Sequence, residues 1–410
     1  MHDVTIIGAG PAGMMAALRA RELGKSVLLL EKNAILGKKL LITGGGRCNI
    51  FHAEEDPRRL AERYGTKGKA LLSAFSRFGM QATREFFESR GLPIVVQELK
   101  RAFPRSERAV DVRDFFAQAL EQAGVEIRRD IHVTRVEKER DLITKIVHED
   151  GEIDAQHVIL ATGGASHPET GSTGDAFPWL RTLGHTVHAP RPTLVPVKIR
   201  NPWIHGLAGL SLHDVRATIF DMRTRKKIIA RTGKMLFTHT GLSGPLILGM
   251  SQDIGRAMSD RPIILTLDLF PSWDHQTLDQ QLISVLEQGK NRLMKNQLSS
   301  LIAPRLLLAL LDLVGIDPLT PCHQITRGLR SSFVQLCKAI DLTVTGLHGP
   351  EDAVVTDGGV DLTEIDFMTM RSKIVKNLSI IGDLLDFDRP SGGFSLQICW
   401  TTGWIAGTNC

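Results

Sequence analysis

The sequence predicts an α/β fold, with a parallel sheet covered by helices and a second, β-rich and helical part inserted into it. Three apolar, strand-like runs support this prediction, at 4–7, 157–160 and 378–381. Each run leads into a turn that contains glycine, as parallel strands do where they meet a ligand. The wide spacing of the runs predicts that the chain leaves the sheet and later returns to it.

The first of these runs opens a βαβ unit. Val4–Ile7 leads into the motif Gly8–Gly13, which has the pattern Gly-x-Gly-x-x-Gly. A helix-forming run follows as far as Leu23, and a second apolar run at 27–30 ends on Glu31. Strand, glycine turn, helix, second strand and terminal acid therefore occur in the order that dinucleotide-binding units require.

The residues of this motif have separate physical roles. Gly8 makes the tight turn, Gly10 lets the backbone approach a pyrophosphate, and Gly13 lets the helix pack against the strand. The helix N-terminus offers free N–H groups and a positive dipole end to the phosphates. Glu31 can accept hydrogen bonds from a ribose 2′-OH and would repel a 2′-phosphate. The unit predicts binding of an adenine dinucleotide.

Length and composition bound the class of protein. A chain of 410 residues predicts two or three domains, and its 42% apolar and 23% charged residues are typical of a globular protein. The longest apolar run, Leu301–Ile316, contains Pro304, Arg305 and Asp312, so it predicts a packed helix rather than a membrane span. No leader precedes the first strand, and five scattered cysteines lack any C-x-x-C spacing. We therefore expect a cytoplasmic protein without disulfides.

The chain has an excess of basic residues, with a net charge of +5 and a pI near 9.0. This excess raises the question of nucleic acid binding. The basic residues are scattered, and the densest group, Arg223–Lys227, is typical of a hairpin tip. The single tyrosine leaves little material for a base-stacking platform. A solvated surface explains these charges better, so we expect a small-molecule substrate and neither a nucleic acid nor a membrane partner.

Segments beyond the βαβ unit favour FAD over NAD. The loop Gly37–Asn49 contains three consecutive glycines and Arg47, which can neutralise phosphate charge. The later strands end in Ala161-Thr162-Gly163 and in Gly382-Asp383, where an acid can bind ribityl hydroxyls or order water at the pyrophosphate. A ligand as long as FAD needs such distant contacts, whereas NAD does not. No His or Cys stands in a flavin-attachment motif, so we expect FAD to be non-covalent.

At this point the chain resembles the BaiN/YhiN family of NAD(P)/FAD-dependent oxidoreductases, also called aminoacetone-oxidase-like flavoproteins. The resemblance runs essentially end to end. The matching segments are Gly37–Asn49, Ala161–Gly174, Leu194–Pro196, Phe237–Pro245, Val355–Val360 and Met370–Lys373. It implies a Rossmann-type FAD-binding domain with an inserted β-rich plus helical domain.

Two segments depart from the family pattern. The family's Gly-Glu-x-Leu-Asp is here Gly382–Asp386, which keeps the carboxylate as Asp383. The family's Gly-Gly-Tyr-Asn is here Gly392–Ser395, which replaces a phenol and an amide next to the expected flavin. A polar substrate contact at that position does not carry over to this chain.

Changes in sequence character divide the chain into three parts. Residues 1–188 form the first part of the FAD-binding domain, and 343–410 its return. The insert at 189–342 is β-rich over 189–272 and helical over 273–342. The insert contains no second Gly-x-Gly-x-x-Gly motif. Any nicotinamide would therefore bind as a transient co-substrate rather than in a domain of its own.

The predicted cofactor site collects residues from all of these segments. From the first half they are Gly8, Gly10, Pro11, Ala12, Gly13, Glu31, Lys32, Lys39, Gly45, Gly46, Arg47, Cys48, Asn49 and Val133. From the second half they are Ala161, Thr162, Gly163, Gly382, Asp383, Gly392, Gly393 and Phe394. Val133 falls where such folds place a backbone contact to adenine. The glycines at 392 and 393 open the last helix, where bare N–H groups would meet the negative pyrimidine ring of reduced flavin.

The resemblance places the segment around His239 facing the flavin, which makes this imidazole the candidate proton donor. A histidine that merely satisfies a turn is an equal alternative. Cys48 lies in the glycine loop without a second thiol nearby in sequence, which disfavours a catalytic cysteine. No ligand cluster predicts a metal.

Three functions compete at this stage. The first is an FAD-dependent oxidoreductase that passes electrons between a small organic substrate and flavin, with NAD(P)H or oxygen as the other redox partner. Activities in the family include reduction of conjugated ketones and oxidation of amines. The second is a flavin-dependent RNA-modifying protein, and the third is a non-catalytic FAD-binding scaffold or sensor.

Overall fold

The computed structural model describes residues 2–260 and 262–410. The chain forms two compact units. The first unit comprises the chain up to Thr193 together with Pro350–Cys410, and the inserted unit is Leu194–Gly349. The junctions expected from sequence were 188/189 and 342/343, so each structural junction falls a few residues later along the chain.

The described residues contain strands in both units, numbered here in chain order. They are β1 (Val4–Ile7), β2 (Val27–Leu30), β3 (Phe51–His52), β4 (Ile94–Gln97), β5 (Arg101–Pro104), β6 (Glu126–Arg128), β7 (Val133–Glu139), β8 (Leu142–His148), β9 (Gly151–Asp154), β10 (His157–Leu160), β11 (Val187–Thr193), β12 (Val197–Ile199), β13 (Ser211–Asp221), β14 (Lys227–Phe237), β15 (Gly241–Ser243), β16 (Ile263–Asp268), β17 (Ile340–Leu347), β18 (Val355–Val360), β19 (Ile365–Asp366), β20 (Arg371–Ser372) and β21 (Leu378–Ile380).

The helices are numbered in the same way. They are α1 (Pro11–Glu22), α2 (Pro57–Glu62), α3 (Leu72–Phe78), α4 (Met80–Glu88), α5 (Ala109–Gln122), α6 (Ala176–Leu183), α7 (Gly244–Asp260), α8 (His275–Gln288), α9 (Met294–Gln297), α10 (Pro304–Leu313), α11 (Arg327–Lys338) and α12 (Phe394–Asn409). Short 3₁₀ turns connect several of them.

The main sheet of the first unit has the strand order β19-β20-β21-β10-β1-β2-β6. The strands from β21 to β6 pair in parallel, with Val4 opposite both Val27 and His157. The three central strands β10, β1 and β2 are buried along their whole length. Their continuous apolar sequences fit strands covered on both faces, which confirms the α/β fold class predicted from sequence.

Helices α1 and α12 pack closely on each other in the first unit. A Cβ atom on Gly403 would lie 2.4 Å from the carbonyl oxygen of Ala12, and one on Gly407 would lie 2.4 Å from that of Ala16. The fully buried Trp400 donates a hydrogen bond from Nε1 to the carbonyl of Ile50 at 2.9 Å. These contacts fix α12, and with it the glycine turn that precedes the helix.

Three small antiparallel sheets complete the first unit, with strand orders β3-β5-β4, β7-β8-β9 and β11-β18. The inserted unit consists of a barrel, closed in the order β12-β15-β14-β13-β16-β17, and of helices that share its core. Phe333 of α11 and Leu307 of α10 are fully buried in that core. No helix among residues 2–260 and 262–410 combines the length and the hydropathy needed to cross a membrane.

Candidate functional site

A cleft of about 840 Å³, counting its part open to solvent, lies along the carboxyl ends of β1, β2, β10 and β21. Its walls include Gly8, Gly10, Pro11, Ala12, Glu31, Lys32, Lys39, Val133, Ala161, Thr162, Gly163, Gly382 and Asp383. All of these residues belong to the cofactor site predicted from sequence. The cleft thus brings the first βαβ unit together with the two late strands, at the edge where parallel sheets bind ligands.

The glycine turn after β1 is shaped by backbone contacts. Gly8 has a φ of +103°, and its N–H donates to the carbonyl of Leu30 at 2.8 Å. A Cβ on Gly13 would lie 1.9 Å from the carbonyl oxygen of Gly8, so only glycine lets α1 approach the turn. A Cβ on Gly10 would meet no protein atom within 4 Å. Gly10 therefore keeps open space in the cleft wall at the start of α1, where a pyrophosphate would lie.

Glu31 binds two segments of the cleft wall. Its Oε2 accepts a hydrogen bond from the N–H of Ala9 at 2.8 Å. Its Oε1 accepts bonds from the backbone N–H and the side-chain amide of Asn33, at 2.8 and 2.6 Å. A carboxylate offers roughly four acceptor positions, so one is left for a ribose hydroxyl. Glu31 holds the glycine turn in place as well as facing the ligand.

Two lysines of the cleft wall have different surroundings. Lys32 forms an ion pair with Asp175 at 2.5 Å and donates to the hydroxyl of Thr173 at 2.6 Å. Lys39 donates to Ser166 Oγ at 2.7 Å, and its Nζ lies 3.9 Å from Asp383 Oδ2. Burial lowers the pKa of Lys39, and the charge of Asp383 acts in the opposite direction.

Several buried polar atoms at the cleft wall have no hydrogen-bond partner among the described residues. They include Thr162 Oγ1 and Asp383 Oδ1. The Nε of Arg389 lies 3.6 Å from Asp383 Oδ1, while its Nη1 donates to the carbonyl of Thr356 at 2.7 Å. Native proteins rarely leave buried polar groups unpaired, so these atoms fit a bound molecule rich in hydroxyl and phosphate oxygens. FAD is such a molecule.

The cleft also contains residues that sequence reasoning missed. They are Asn33, Gly37, Lys38, Ile131, His132, Thr170, Gly171, Ser172, Asp175, Trp179 and Cys399, together with Ile7, Ala9 and Leu30. The segment 161–174 was already part of the resemblance, so Thr170, Gly171 and Ser172 could have been found from it. Trp179 could not, because nothing in the sequence shows which face of α6 turns toward the cleft.

Other predicted residues lie outside the cleft wall. Gly13 packs beneath the turn, and Gly45 and Gly46 are exposed, with φ values of +68° and +83°. The guanidinium of Arg47 lies 4.4 Å from the centre of the Phe103 ring, and its Nη1 is 3.4 Å from Glu107. Cofactor contacts by these residues stay predictions.

Asn49 joins the predicted glycine loop to the predicted flavin turn before α12. In the amide orientation that satisfies its neighbours, its nitrogen donates to the carbonyls of Phe51 and Ala102 at 3.1 Å. Its oxygen accepts from the N–H of Gly393 at 3.2 Å. Gly393 has a φ of +98°, and a Cβ there would lie 2.4 Å from the carbonyl carbon of Phe51. Two segments far apart in sequence therefore meet in one fixed arrangement. The residues Gly392, Gly393 and Phe394 do not line the cleft itself.

The candidate reactive side chains are less favourably placed. Cys48 is fully buried, and burial raises the pKa of its thiol to about 12, which opposes thiolate chemistry. His239 is exposed in the turn between β14 and β15 of the inserted unit. Its role as a proton donor stays a prediction. The described residues hold no group of three His, Cys, Asp or Glu side chains arranged for a metal ion.

His185, Glu364 and Ser372 have the composition of a hydrolase triad, but their hydrogen bonds give them a structural role. His185 bonds Glu364 through Nδ1 at 2.8 Å and Ser372 Oγ through Nε2 at 2.9 Å. Ser372 Oγ also accepts from the N–H groups of Ile374 and Val375, at 3.0 and 2.8 Å. The serine is buried and bound on all sides, so it stabilises the turn after β20 rather than acting as a nucleophile.

The parallel sheet, the glycine turn and the acid that ends β2 define a Rossmann-type dinucleotide-binding flavoprotein. The chain belongs to the family described as HI0933-like protein Rossmann domain, whose model matches residues 2–409. This confirms the resemblance and the fold class found from sequence. The protein is thus an FAD-binding member of an oxidoreductase family.

Relatives match the chain along its whole length. It is 28% identical to the 3-dehydro-bile acid delta(4,6)-reductase of Clostridium scindens, over 99% of this chain and 98% of the relative. It is 27% identical to the ribosomal RNA dihydrouridine synthase of Escherichia coli K12, over 98% and 96%. The fold resembles that of a 3-ketosteroid-delta4-(5alpha)-dehydrogenase of Rhodococcus jostii RHA1, with a TM-score of 0.54, 14% identity, and coverage of 100% of this chain and 96% of the other.

We predict that Gly10→Val leaves the protein folded and abolishes FAD binding. The added side chain meets no protein atom, but it fills the space of the pyrophosphate. The flavin-to-protein ratio and the thermal midpoint of the purified variant measure both effects.

Gly13→Ala is the matched contrast, because its methyl group collides with the backbone of Gly8. It should destabilise the fold by about 2 kcal/mol or more, as overpacked sites do.

Full flavin occupancy in Gly10→Val would show that the glycine motif does not bind the cofactor.

Proposed function

We propose that this protein is an FAD-dependent reductase that saturates a carbon–carbon double bond conjugated to a carbonyl group. The main support is what two full-length relatives share. One is named for reducing the Δ4,6 bonds of a 3-dehydro bile acid, and the other for forming dihydrouridine, in which the double bond of the uracil ring is saturated. The substrates are unlike in size and charge, but both place an alkene next to a carbonyl.

FAD, when bound, supplies the hydride acceptor and donor for this chemistry. The protein's own residues bind and orient it. The turn at Gly8–Gly13 and the N-terminus of α1 would hold the pyrophosphate, and Glu31 would hold the adenosine ribose. Lys39 and Asp383 would bind the middle of the FAD molecule through their buried polar atoms.

We propose NAD(P)H as the source of electrons, bound only transiently. The inserted unit contains no second glycine fingerprint for a nicotinamide dinucleotide. Oxygen-coupled amine oxidation is the competing use of the same flavin. The two uses are distinguished by whether NAD(P)H or an amine reduces the flavin of the holoprotein.

The direct test is anaerobic. NADH or NADPH should bleach the visible absorbance of the bound FAD, and a 3-oxo-Δ4 steroid or a uridine-containing RNA should then restore it. Reoxidation by an enone but not by its saturated analogue would support the proposal. Bleaching by an amine, with no response to either nicotinamide, would contradict it.

We predict that His239→Ala leaves FAD occupancy nearly intact and lowers turnover by about 100-fold, if the imidazole transfers a proton to the substrate. Flavin content and steady-state rate on the same preparation separate the two effects. Equal loss of flavin and rate would make His239 structural, and an unchanged rate would remove it from the reaction.

A second candidate function, modification of RNA, is favoured by the distribution of charge. The inserted unit, Leu194–Gly349, contains 18 Lys and Arg against 11 Asp and Glu, a formal net charge of +7. The rest of the chain contains 32 Lys and Arg against 34 Asp and Glu, a net charge of −2. The positive charge of the protein is therefore concentrated in one unit, as a polyanion-binding surface would be.

If this unit binds RNA, replacing Arg223, Lys226 and Lys227 with Gln should weaken RNA binding and flatten its dependence on salt. All three side chains are exposed at the β13–β14 hairpin. Each lost phosphate contact should reduce the slope of log affinity against log salt by about one. Binding of a ribosomal RNA fragment, measured from low to moderate salt, tests this.

Lys69→Gln, at an exposed site of the first unit, is the control and should bind as the wild type does. An unchanged slope in the triple variant would place RNA elsewhere or exclude it.

A further inference from the structure

The two segments expected to contact the flavin ring converge on β3 and the turn before α12. Asn49 bonds the N–H of Gly393, and a Cβ on Gly393 would lie 2.8 Å from the backbone nitrogen of His52. His52 follows Asn49 by three residues and so lies where both segments meet. The resemblance places the flavin ring here, so we expect substrate to approach at this end rather than at the adenosine end near Glu31.

His52 packs on Phe394, the residue that stands where the family has a tyrosine. Its ring stacks on Phe394, with centroids 4.5 Å apart and an interplanar angle of 23°. Tyr64 holds the same phenylalanine from another side, donating its hydroxyl to the carbonyl of Phe394 at 2.9 Å. The family's phenol is missing here, so polar contacts next to this ring must come from neighbouring side chains.

Two arginines lie beside His52. Arg101 is directly opposite His52 in the antiparallel pair of β3 and β5, which puts both side chains on one face of that sheet. The Nε of Arg101 is 3.9 Å from the position of a Cβ on Gly392. The guanidinium carbon of Arg63 lies 5.7 Å from the centre of the Phe394 ring. Three basic side chains thus surround one turn.

Within the part of the chain that the structure describes, no ion pair joins Arg63 or Arg101 to an acid. Nearby cations do have such partners: Lys100 lies 2.7 Å from Glu54, and Lys67 lies 2.7 Å from Asp386. An unbalanced pair of guanidinium groups beside a ligand site is suited to an anion, which it can bind through several hydrogen bonds at once.

The surroundings of His52 allow this side chain to contact an anion together with Arg63 and Arg101. Burial is the main cause that lowers the pKa of His52, and the charges of Arg63 and Lys100 add to it. Glu54 and the backbone of Gly392 act in the opposite direction. The buried Nδ1 of His52 has no hydrogen-bond partner among the described residues.

We propose that His52, Arg63 and Arg101 form an anion-binding subsite beside the flavin ring, which holds a carboxylate or phosphate group of the substrate. The proposal rests on the proposed function and narrows it to anionic alkenes. It requires that the group to be reduced lies a short distance from the anion. A carboxylate and a nucleotide phosphate are two sources of the same chemistry.

The test uses the FAD-loaded protein without turnover. Sulfate, whose charge is constant near neutral pH, is titrated at fixed ionic strength while calorimetry measures binding and the visible band of oxidised flavin reports its proximity. We expect wild-type protein to bind sulfate with a shift of the band, and Arg101→Gln and Arg63→Gln to bind about tenfold more weakly, the loss of one charge-assisted contact.

Arg105→Gln is the matched control, because Arg105 is exposed at the position just after β5 and forms no ion pair with any described residue. It should leave sulfate binding unchanged. Equal sulfate binding by wild type and Arg101→Gln, or binding without any change in the flavin band, would overturn the proposal.

Two further titrations identify the source of the anion. A short uridine-containing RNA and cholate are each tested against wild type and Arg101→Gln. Weaker binding of either ligand by the variant supports the subsite and names its natural anion, whereas undiminished binding of both would contradict it. Because no step requires catalysis, a protein that binds these anions but reduces no enone would refute the proposed function and leave the subsite intact.

Discussion

The structure of the first unit depends on the close approach of α1 to the turn after β1. The carbonyl of Gly8 occupies the space that any side chain at Gly13 would need. The carboxylate of Glu31, at the end of β2, then fixes the N–H of Ala9 inside the same turn. These two contacts shape the cleft wall at the carboxyl ends of β1 and β2, and they leave the space over Gly10 open for a phosphate.

The sequence predicted the parts of this site that follow from local rules. Glycine spacing, the buried strands and Glu31 predicted the cleft, because each follows from backbone geometry within one βαβ unit. Local reasoning did not predict that α3 and α4 are separate helices, divided at Gly79, which has an extended ψ of −158°. It also could not predict the contact of Asn49 with Gly393, since that contact depends on how two distant segments pack.

Charge is distributed in a way that composition alone conceals. A net charge of +5 for the whole chain hides +7 in the inserted unit and −2 in the remainder. On a smaller scale, Lys67 and Lys100 have acidic partners, whereas Arg63 and Arg101 form no ion pair with any described residue. Both patterns are consistent with an anionic substrate, and they are independent because they lie in different units.

We expect this cleft to bind FAD through non-covalent contacts. The most direct measurement is to purify the protein, denature it with acid, and identify any released cofactor by chromatography and mass spectrometry. We expect a yellow protein that releases about one FAD per chain and leaves a polypeptide of unmodified mass. A colourless protein that added FAD cannot reconstitute, or a flavin that stays attached to the denatured chain, would contradict it.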